Sequence, residues 1–272
     1  MHIIDFHTHA FPDKLAERAV PALAKEANIT AALDGKTSSL LQSMNRAGIE
    51  KSVICSIATR PEQFSKILEW SHAVASDRLI PFPSIHPDDP AAAAQVRRIH
   101  EEGFLGVKLH PYYQNFYLNE PRMNPVYEAL QACGLILVTH TGFDIAFPRD
   151  RRCDAQQILH VIENFPELKF VATHFGAWED WDRVENQLIG RRLYMDISFS
   201  TSYLEPGRLR RMMAAHSPDH LLFGSDSPWT GQQEEIDRVL ALGLENPFLS
   251  KLLYENAARL LGLSGTDSLP SK

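Results

Sequence analysis

Two histidines close the first apolar run of this 272-residue chain, HIIDFHTH. If that run is a strand, His7 and His9 leave its end on one face, because residues two apart in a strand point the same way. Neutral imidazoles so placed can share a divalent ion, at roughly 2.0–2.1 Å for zinc, on stiff backbone that leaves other coordination directions free. Alone, the pair reads equally well as two satisfied polar residues at a strand terminus. The same kind of residue then recurs at the same kind of place. His140 ends LILVTH, His174 ends LKFVATH and Asp226 ends HLLFGSD. Four histidines and a carboxylate spread over four apolar runs can encircle one or two metal ions and leave a position for water or substrate.

Lys108 and His110 share a face of a further run, FLGVKLH. A lysine directed inward must be paired or functional, since an unpaired buried ammonium is costly, and anchoring a substrate carboxylate is one such use. His110 fits either a supporting hydrogen bond or a substrate contact. By the same parity Asp5 faces inward with His7, as an acceptor for a ligand histidine or for Lys108, or as a purely structural acceptor. Competing structural readings are a helix N-cap for Asp226 in SDSP and cross-strand hydrogen bonds for His140 and His174. The two THxG copies, THTG and THFG, weigh against the latter.

The elements that must position these residues alternate regularly. Strands are expected in KSVICSI, LIPFPSI, FLGVKLH, LILVTH, LKFVATH, LYMDIS and HLLFGSD after the first, with the continuous apolar character of strands buried on both faces. Between them lie helices in SSLLQSMNRAG, with Ser38 or Ser39 as N-cap and Gly48 as stop, and in PEQFSKILEWSHAVA, DPAAAAQVRRIHEEG, NPVYEALQACG, DAQQILHVIENF, WEDWDRVENQLIG and PGRLRRMMAAH; ENAARLLGL supplies a last one. Residues 10–37, helical in their first half, are too long for an ordinary βα loop and too apolar for a free linker, and read as a cover over a barrel mouth. Eight strands, without a glycine-rich phosphate loop after the first, favour a closed (β/α)8 barrel over an open doubly wound sheet. In such a barrel the C-terminal strand ends converge on one mouth. No linker divides residues 1–263 into two domains, and 264–272 reads as a mobile tail.

Composition narrows the class. Hydrophobic residues make up 44% and charged residues 22%, enough for a sizeable core, and the net charge of -7 argues against a broad basic face for nucleic acid. No run approaches a membrane span and no leader pattern opens the chain, so a cytoplasmic protein with no membrane partner is expected. Cys55, Cys133 and Cys153 form neither a metal spacing nor a disulfide framework, and Cys55 and Cys133 read as packing thiols. The sequence leaves room for a homo-oligomer.

Taken together, His7-Thr8-His9, GVKLHP, THTG, THFG and GSDSPW resemble the amidohydrolase superfamily, and within it the "amidohydrolase 2" branch of metal-dependent hydrolases and nonoxidative decarboxylases. The resemblance runs from the first strand to ENAARLLGL. It implies a distorted TIM barrel holding one divalent ion rather than two, zinc or else manganese, on His7, His9, His140 and Asp226. It also implies that His174 is a nearby electrophile or proton donor in a mononuclear site and a ligand in a binuclear one. In some relatives a lysine on the fourth strand is carbamylated and bridges two metals, which gives Lys108 a second reading. Such an ion lowers the pKa of a water from 15.7 towards about 7. Asp226 can ligate through one oxygen and take a proton on the other, and His174 can polarise a carbonyl or protonate a leaving group.

Specificity should lie in the loops. PYYQNFYLNEP offers Tyr112, Tyr113, Phe116 and Tyr117 for a planar substrate, against packing within their own loop, and FDIAFPRDRR offers Arg149, Arg151 and Arg152 as carboxylate clamps, with most of the three expected in solvent. Lys108, His110, Tyr112, Arg149 and Trp229 are the expected substrate contacts. His72, His100, His160 and His216 fall in helices and read as surface or packing residues. The expectation is therefore hydrolysis of an amide, ester or lactone-type bond in a small carboxylated molecule. Nonoxidative decarboxylation of an aromatic or unsaturated acid on the same site is the alternative. A barrel turned binding protein should have a broken ligand set, and this one is complete. A metal-dependent deoxyribonuclease is disfavoured, because LIPFPSI lacks a glutamate.

Overall fold

Eight short parallel strands alternate with helices: β1 (Ile4–Thr8), β2 (Lys51–Cys55), β3 (Leu79–Phe82), β4 (Gly106–Leu109), β5 (Ile136–Thr139), β6 (Lys169–Ala172), β7 (Tyr194–Asp196) and β8 (Leu221–Leu222). The computed structural model describes residues 1–263, so the expected mobile tail lies outside the described residues. The strands pair in sequence order, β1-β2-β3 and β4 to β8. Hydrogen bonds carry the ring across its two seams. Phe6 N donates to Phe223 O (2.8 Å) between β1 and β8, and Lys108 N donates to Pro83 O (2.9 Å) between β4 and the segment after β3. The result is a distorted (β/α)8 barrel.

Its interior is packed by Ile4, Phe6, Val53, Phe82, Val138 and Val171, together with Ala257 and Leu260 of a last helix, α11 (Asn256–Leu260), which closes the end away from the site. A second apolar layer joins the outward strand faces to the ring of helices. The cover segment forms α1 (Asp13–Glu26), and α2 (Thr37–Ala47) follows. The latter ends at Gly48 as expected, in the left-handed region at φ 68°. It starts earlier than expected: Thr37 opens it and Lys36 precedes it without a side-chain cap, so neither Ser38 nor Ser39 is the N-cap.

α3 (Phe64–Val74), α4 (Ala92–Glu101), α5 (Asn124–Cys133), α6 (Ala155–Asn164), α7 (Trp181–Gln187) and α8 (Pro206–Ala215) fall where the periodicity puts them. Two helices between Gln232 and Ser250, α9 (Gln232–Ala241) and α10 (Asn246–Ser250), were absent from the sequence reading. No helix among the described residues is long and apolar enough to cross a membrane.

One local irregularity decides which residues reach the site. β1 shifts register against β2 between Asp5 and Thr8, so the strand carries an extra residue there. Simple parity therefore fails, and Asp5 parts company with His7. Asp5 accepts from Ser225 N (2.9 Å), Ser225 Oγ (2.6 Å) and Gln232 Nε2 (2.8 Å) of α9. Of the readings open for Asp5, the structural one holds.

Candidate metal centre and active site

His7 and His9 emerge from β1 with one ring nitrogen each already committed. His7 Nδ1 lies 3.0 Å from Asp196 Oδ2, at the end of β7, and 3.0 Å from Ser198 Oγ; His9 Nδ1 donates to Cys55 O at 2.8 Å. An acceptor on Nδ1 fixes the tautomer and leaves Nε2 with its lone pair, as metal-binding histidines require. Both Nε2 atoms face Asp226 Oδ1, at 3.5 Å for His7 and 3.2 Å for His9. Asp226 reaches them from a left-handed backbone (φ 61°) tied to β1 by its own N–H, which donates to His7 O at 2.8 Å. That conformation costs a non-glycine residue about 1–2 kcal/mol and is held by its surroundings. The ligand atoms of His7, His9 and Asp226 lie within 4.8 Å of one another.

Electrostatics put these groups in the states a cation needs. Burial, followed by the charge of Lys108, drives His7 well below the usual imidazole range, so the ring is neutral. Burial pushes Asp226 up, but the imidazoles of His7, His9 and His174 around it prevail and hold it at about 2. A buried ionised carboxylate beside imidazole nitrogens is a donor set for a divalent ion.

His140 and His174 stand beside this group. His140 Nε2 donates to Phe143 O (3.0 Å) and His174 Nδ1 to Ser198 O (3.1 Å), yet their remaining nitrogens, His140 Nδ1 and His174 Nε2, face each other at 3.1 Å. Two lone pairs so close repel unless a cation or proton lies between them, so this pair too fits a metal. His140 does not join the three-residue group directly; its ring groups with His110 and Asp144. His174 sits at φ 55°, with its N–H donating to Asp196 Oδ1 at 3.2 Å, so Asp196 steadies two of the four histidines. The THTG glycine has a steric cause. At Gly142 (φ 91°) a Cβ would lie 2.0 Å from Trp178 N, where the loops after β5 and β6 pair backbone to backbone.

The sequence-predicted residues divide into two sets. His7, His9, His140, His174, Asp226, Lys108, His110 and Trp229 all line one cavity at the strand ends. Lys108 is buried, with Nζ 3.1 Å from His7 Nε2. His110 stacks on His140 at 4.3 Å, with Nε2 3.4 Å from Asp144 Oδ2. Burial, then Lys108, keeps His110 neutral. Tyr112 and Arg149 are elsewhere. The Tyr112 hydroxyl donates to Gly142 O (3.1 Å) and to Asp150 O, and Arg149 pairs with Glu179 at the surface while its guanidinium lies over Phe143. Arg151 binds Asp180 and Asp154, and Arg152 binds Asp150, so none of the three arginines is placed as a carboxylate clamp. The tyrosine on the cavity wall is Tyr113.

Sequence reasoning did not single out Asp196, Asp144 or Trp178. Asp196 carried a usable signal, a carboxylate inside the apolar run LYMDIS, where β7 ends. Leu23 of α1, Ala27 and Ile29 form part of the cavity wall.

The amidohydrolase family model matches residues 4–263. The chain belongs to the amidohydrolase family. Amidohydrolases of this family include hydrolases and decarboxylases and are metal-dependent. Among solved structures, an uncharacterised TIM-barrel protein from Bordetella bronchiseptica is 23% identical, with 96% of this chain and 99% of that chain covered at a TM-score of 0.76. The 2,6-dihydroxybenzoate decarboxylase from Rhizobium is 18% identical, with 97% and 100% covered at 0.68. The 5-carboxyvanillate decarboxylase from Novosphingobium aromaticivorans, with bound manganese, is 14% identical, with 96% and 97% covered at 0.72. Likeness at these identities shows a shared fold. A comparison with curated proteins gave no match.

Proposed function

We propose that this amidohydrolase-family enzyme hydrolyses an amide, ester or lactone-type bond in a small molecule bearing one carboxylate. The observation that carries the reading is the geometry of Asp226. Both imidazoles address its Oδ1, which leaves Oδ2 as the oxygen able to receive a proton. A zinc or manganese ion at the His7–His9–Asp226 group, with His140 or His174 turned towards it, would supply Lewis acidity and lower the pKa of a water. Asp226 Oδ2 then takes the proton of the attacking water. His174, whose Nδ1–H donates to Ser198 O, would take that proton from Asp226 on its free Nε2 and pass it to the leaving group. Lys108 supplies the positive charge that meets the substrate's carboxylate. The apolar walls exclude bulk water, which strengthens each of these contacts.

A second reading, nonoxidative decarboxylation, is favoured by a different observation: the cavity is ring-sized and aromatic-walled, and two of the similar structures are named as decarboxylases of aromatic acids. The same residues serve it, with the proton delivered to carbon instead of to a leaving group. The deciding experiment incubates metal-loaded enzyme with a panel of esters, lactones, amides and aryl acids, recording acid release and carbon dioxide separately. Acid release without carbon dioxide supports hydrolysis. Carbon dioxide evolved without a new acid group replaces it by decarboxylation.

A further inference from the structure

A second cavity lies at the other end of the barrel, where the strands begin. It holds about 240 Å³, and its wall includes Lys169 at the start of β6, Arg192 and Tyr194 at the start of β7, His220 just ahead of β8, and Arg259 of α11. Strand pairing sets these residues side by side. β6 and β7 pair Val171 with Tyr194, which puts Lys169 and Arg192, each two residues earlier, at one level on neighbouring strands. β7 and β8 pair Met195 with Leu221, and Tyr194 and His220, one residue earlier on each, meet edge to face at 4.8 Å. Active sites of this fold lie at the opposite end, and the metal centre uses none of these residues.

The charges on this wall do not balance. Lys169, Arg192 and Arg259 face one carboxylate, Glu167, which leaves a surplus of two positive charges in a chain of net charge -7. Glu167 Oε1 lies 3.6 Å from Arg192 Nη1, with 69% and 73% of the two side chains exposed, and an ion pair so placed contributes little. Lys169 is exposed, with no ion pair among the described residues. Arg259 is the fixed member. Its Nη2 donates to Asp219 O at 2.6 Å and to Asn256 Oδ1 at 2.9 Å, which holds the guanidinium and leaves Nε and Nη1 without an acceptor among the described residues. The Asp219 carboxylate is turned to Lys251 instead, at 2.8 Å. Both arginines act on His220. Burial, then the Arg259 charge, lowers it below the usual imidazole range, and Arg192 adds to this against the pull of Asp219. Three like charges around one opening repel until an anion lies among them.

We propose that this cavity binds a phosphate-class dianion, as free phosphate or as the phosphate group of a small monoester, between Lys169, Arg192 and Arg259. Two negative charges match the surplus, and tetrahedral oxygens can accept from the fixed guanidinium and the two exposed cations at once. The anion would join the starts of β6 and β7 to α11. The Asn256 side chain of α11 already donates to Pro218 O and Leu221 O, at 2.7 and 2.8 Å, so the tie extends to β8, the two-residue strand that leads to Asp226. A bound anion therefore stabilises the closed barrel.

Calorimetry on the metal-loaded full chain tests it, with inorganic phosphate, phenyl phosphate and the monoanion nitrate at pH 8 and constant ionic strength. Phosphate should bind at least about tenfold tighter than nitrate, and Lys169→Gln and Arg192→Gln should each weaken it about tenfold, the usual worth of a charge-assisted contact. Saturating phosphate should raise the melting temperature of wild type by about 3 °C, and Lys169→Gln combined with Arg192→Gln should lose that rise. Both side chains are exposed, so the variants should melt near wild type without phosphate. Tighter binding of phenyl phosphate than of phosphate supports a monoester as the ligand, and the reverse supports free phosphate. A metal ion in the barrel mouth can also take phosphate, but substitutions at the opposite end leave that uptake intact. Phosphate binding that survives the double substitution unchanged therefore overturns the proposal, and so does nitrate binding as tightly as phosphate.

Discussion

Lys108 Nζ lies 3.1 Å from His7 Nε2, the ring nitrogen that the Asp196 contact leaves with its lone pair. An ammonium donating to the metal-facing atom of a ligand stands where a cation is wanted, so a bound ion and the Lys108 charge compete for the same nitrogen.

Lys108→Met should therefore keep its metal, with affinity unchanged or raised, and should lose the preference for acids. A carboxylate held by a charge-assisted hydrogen bond is worth about 1.5–3 kcal/mol, or roughly 10- to 150-fold in affinity. The check compares KM for an acid substrate and its neutral analogue in both proteins, beside metal content and intact mass. A carbamyl group on wild-type Lys108, with metal lost in the variant, would replace the anchor by a bridging role.

Asp196→Asn tests a residue set behind His7, off the cavity wall. Its carboxylate meets His7 Nδ1 and the His174 backbone, and loss of such a partner costs about 10- to 100-fold in metal affinity. Competition against a chelator reads this directly. An unchanged affinity would mean that the His7 tautomer is set by Ser198 alone.

His174→Asn separates one ion from two. Activity should fall at least about 100-fold, the usual contribution of a positioned acid or base. Elemental analysis should show the same single metal per chain as wild type. Loss of a metal equivalent would make His174 a ligand.

Glu235 gives stability a pH dependence away from the site. It is fully buried on α9, accepting from Thr201 Oγ1 (2.5 Å) and Arg238 Nη1 (2.8 Å), and burial raises it from 4.5 to about 7. The folded state thus holds this proton more tightly than the unfolded chain. Its stabilising contribution is complete below about pH 4.5 and is lost as pH rises through about 7. Glu235→Gln should flatten that fall and be more stable than wild type by about 2 kcal/mol at pH 8, seen in urea midpoints from pH 5 to 8. Parallel pH profiles for the two proteins would show that Glu235 is not the source.

The barrel and the gathering of His7, His9, His140, His174 and Asp226 at one cavity were legible because both rest on periodicity. Strands buried on both faces read as apolar runs, and the residue ending each run is delivered to a common mouth. Asp5 was misplaced because an extra residue in β1 reverses parity, which no count of alternation detects. Arg149 was misjudged for another reason. A guanidinium takes the nearest carboxylate, here Glu179, and which carboxylate is near is decided by an irregular loop. Tyr112 was drawn inward by backbone carbonyls in that same loop, leaving its neighbour Tyr113 for the cavity.

The seam between β8 and β1 also bears on when the protein can choose its metal. Ser225 and Asp5, which meet there, are 220 residues apart, so closing the ring costs on the order of 5 kcal/mol in chain entropy before its contacts repay it. During synthesis His7 and His9 leave the ribosome long before Asp226. Until then the nascent chain offers a bare pair of imidazoles, which ranks divalent metals by intrinsic affinity, with copper above zinc and zinc above manganese. The carboxylate and the rigid geometry that can discriminate otherwise arrive only with the last strand. Protein refolded in the presence of one metal should therefore hold a different ion from protein whose barrel closed in the presence of another.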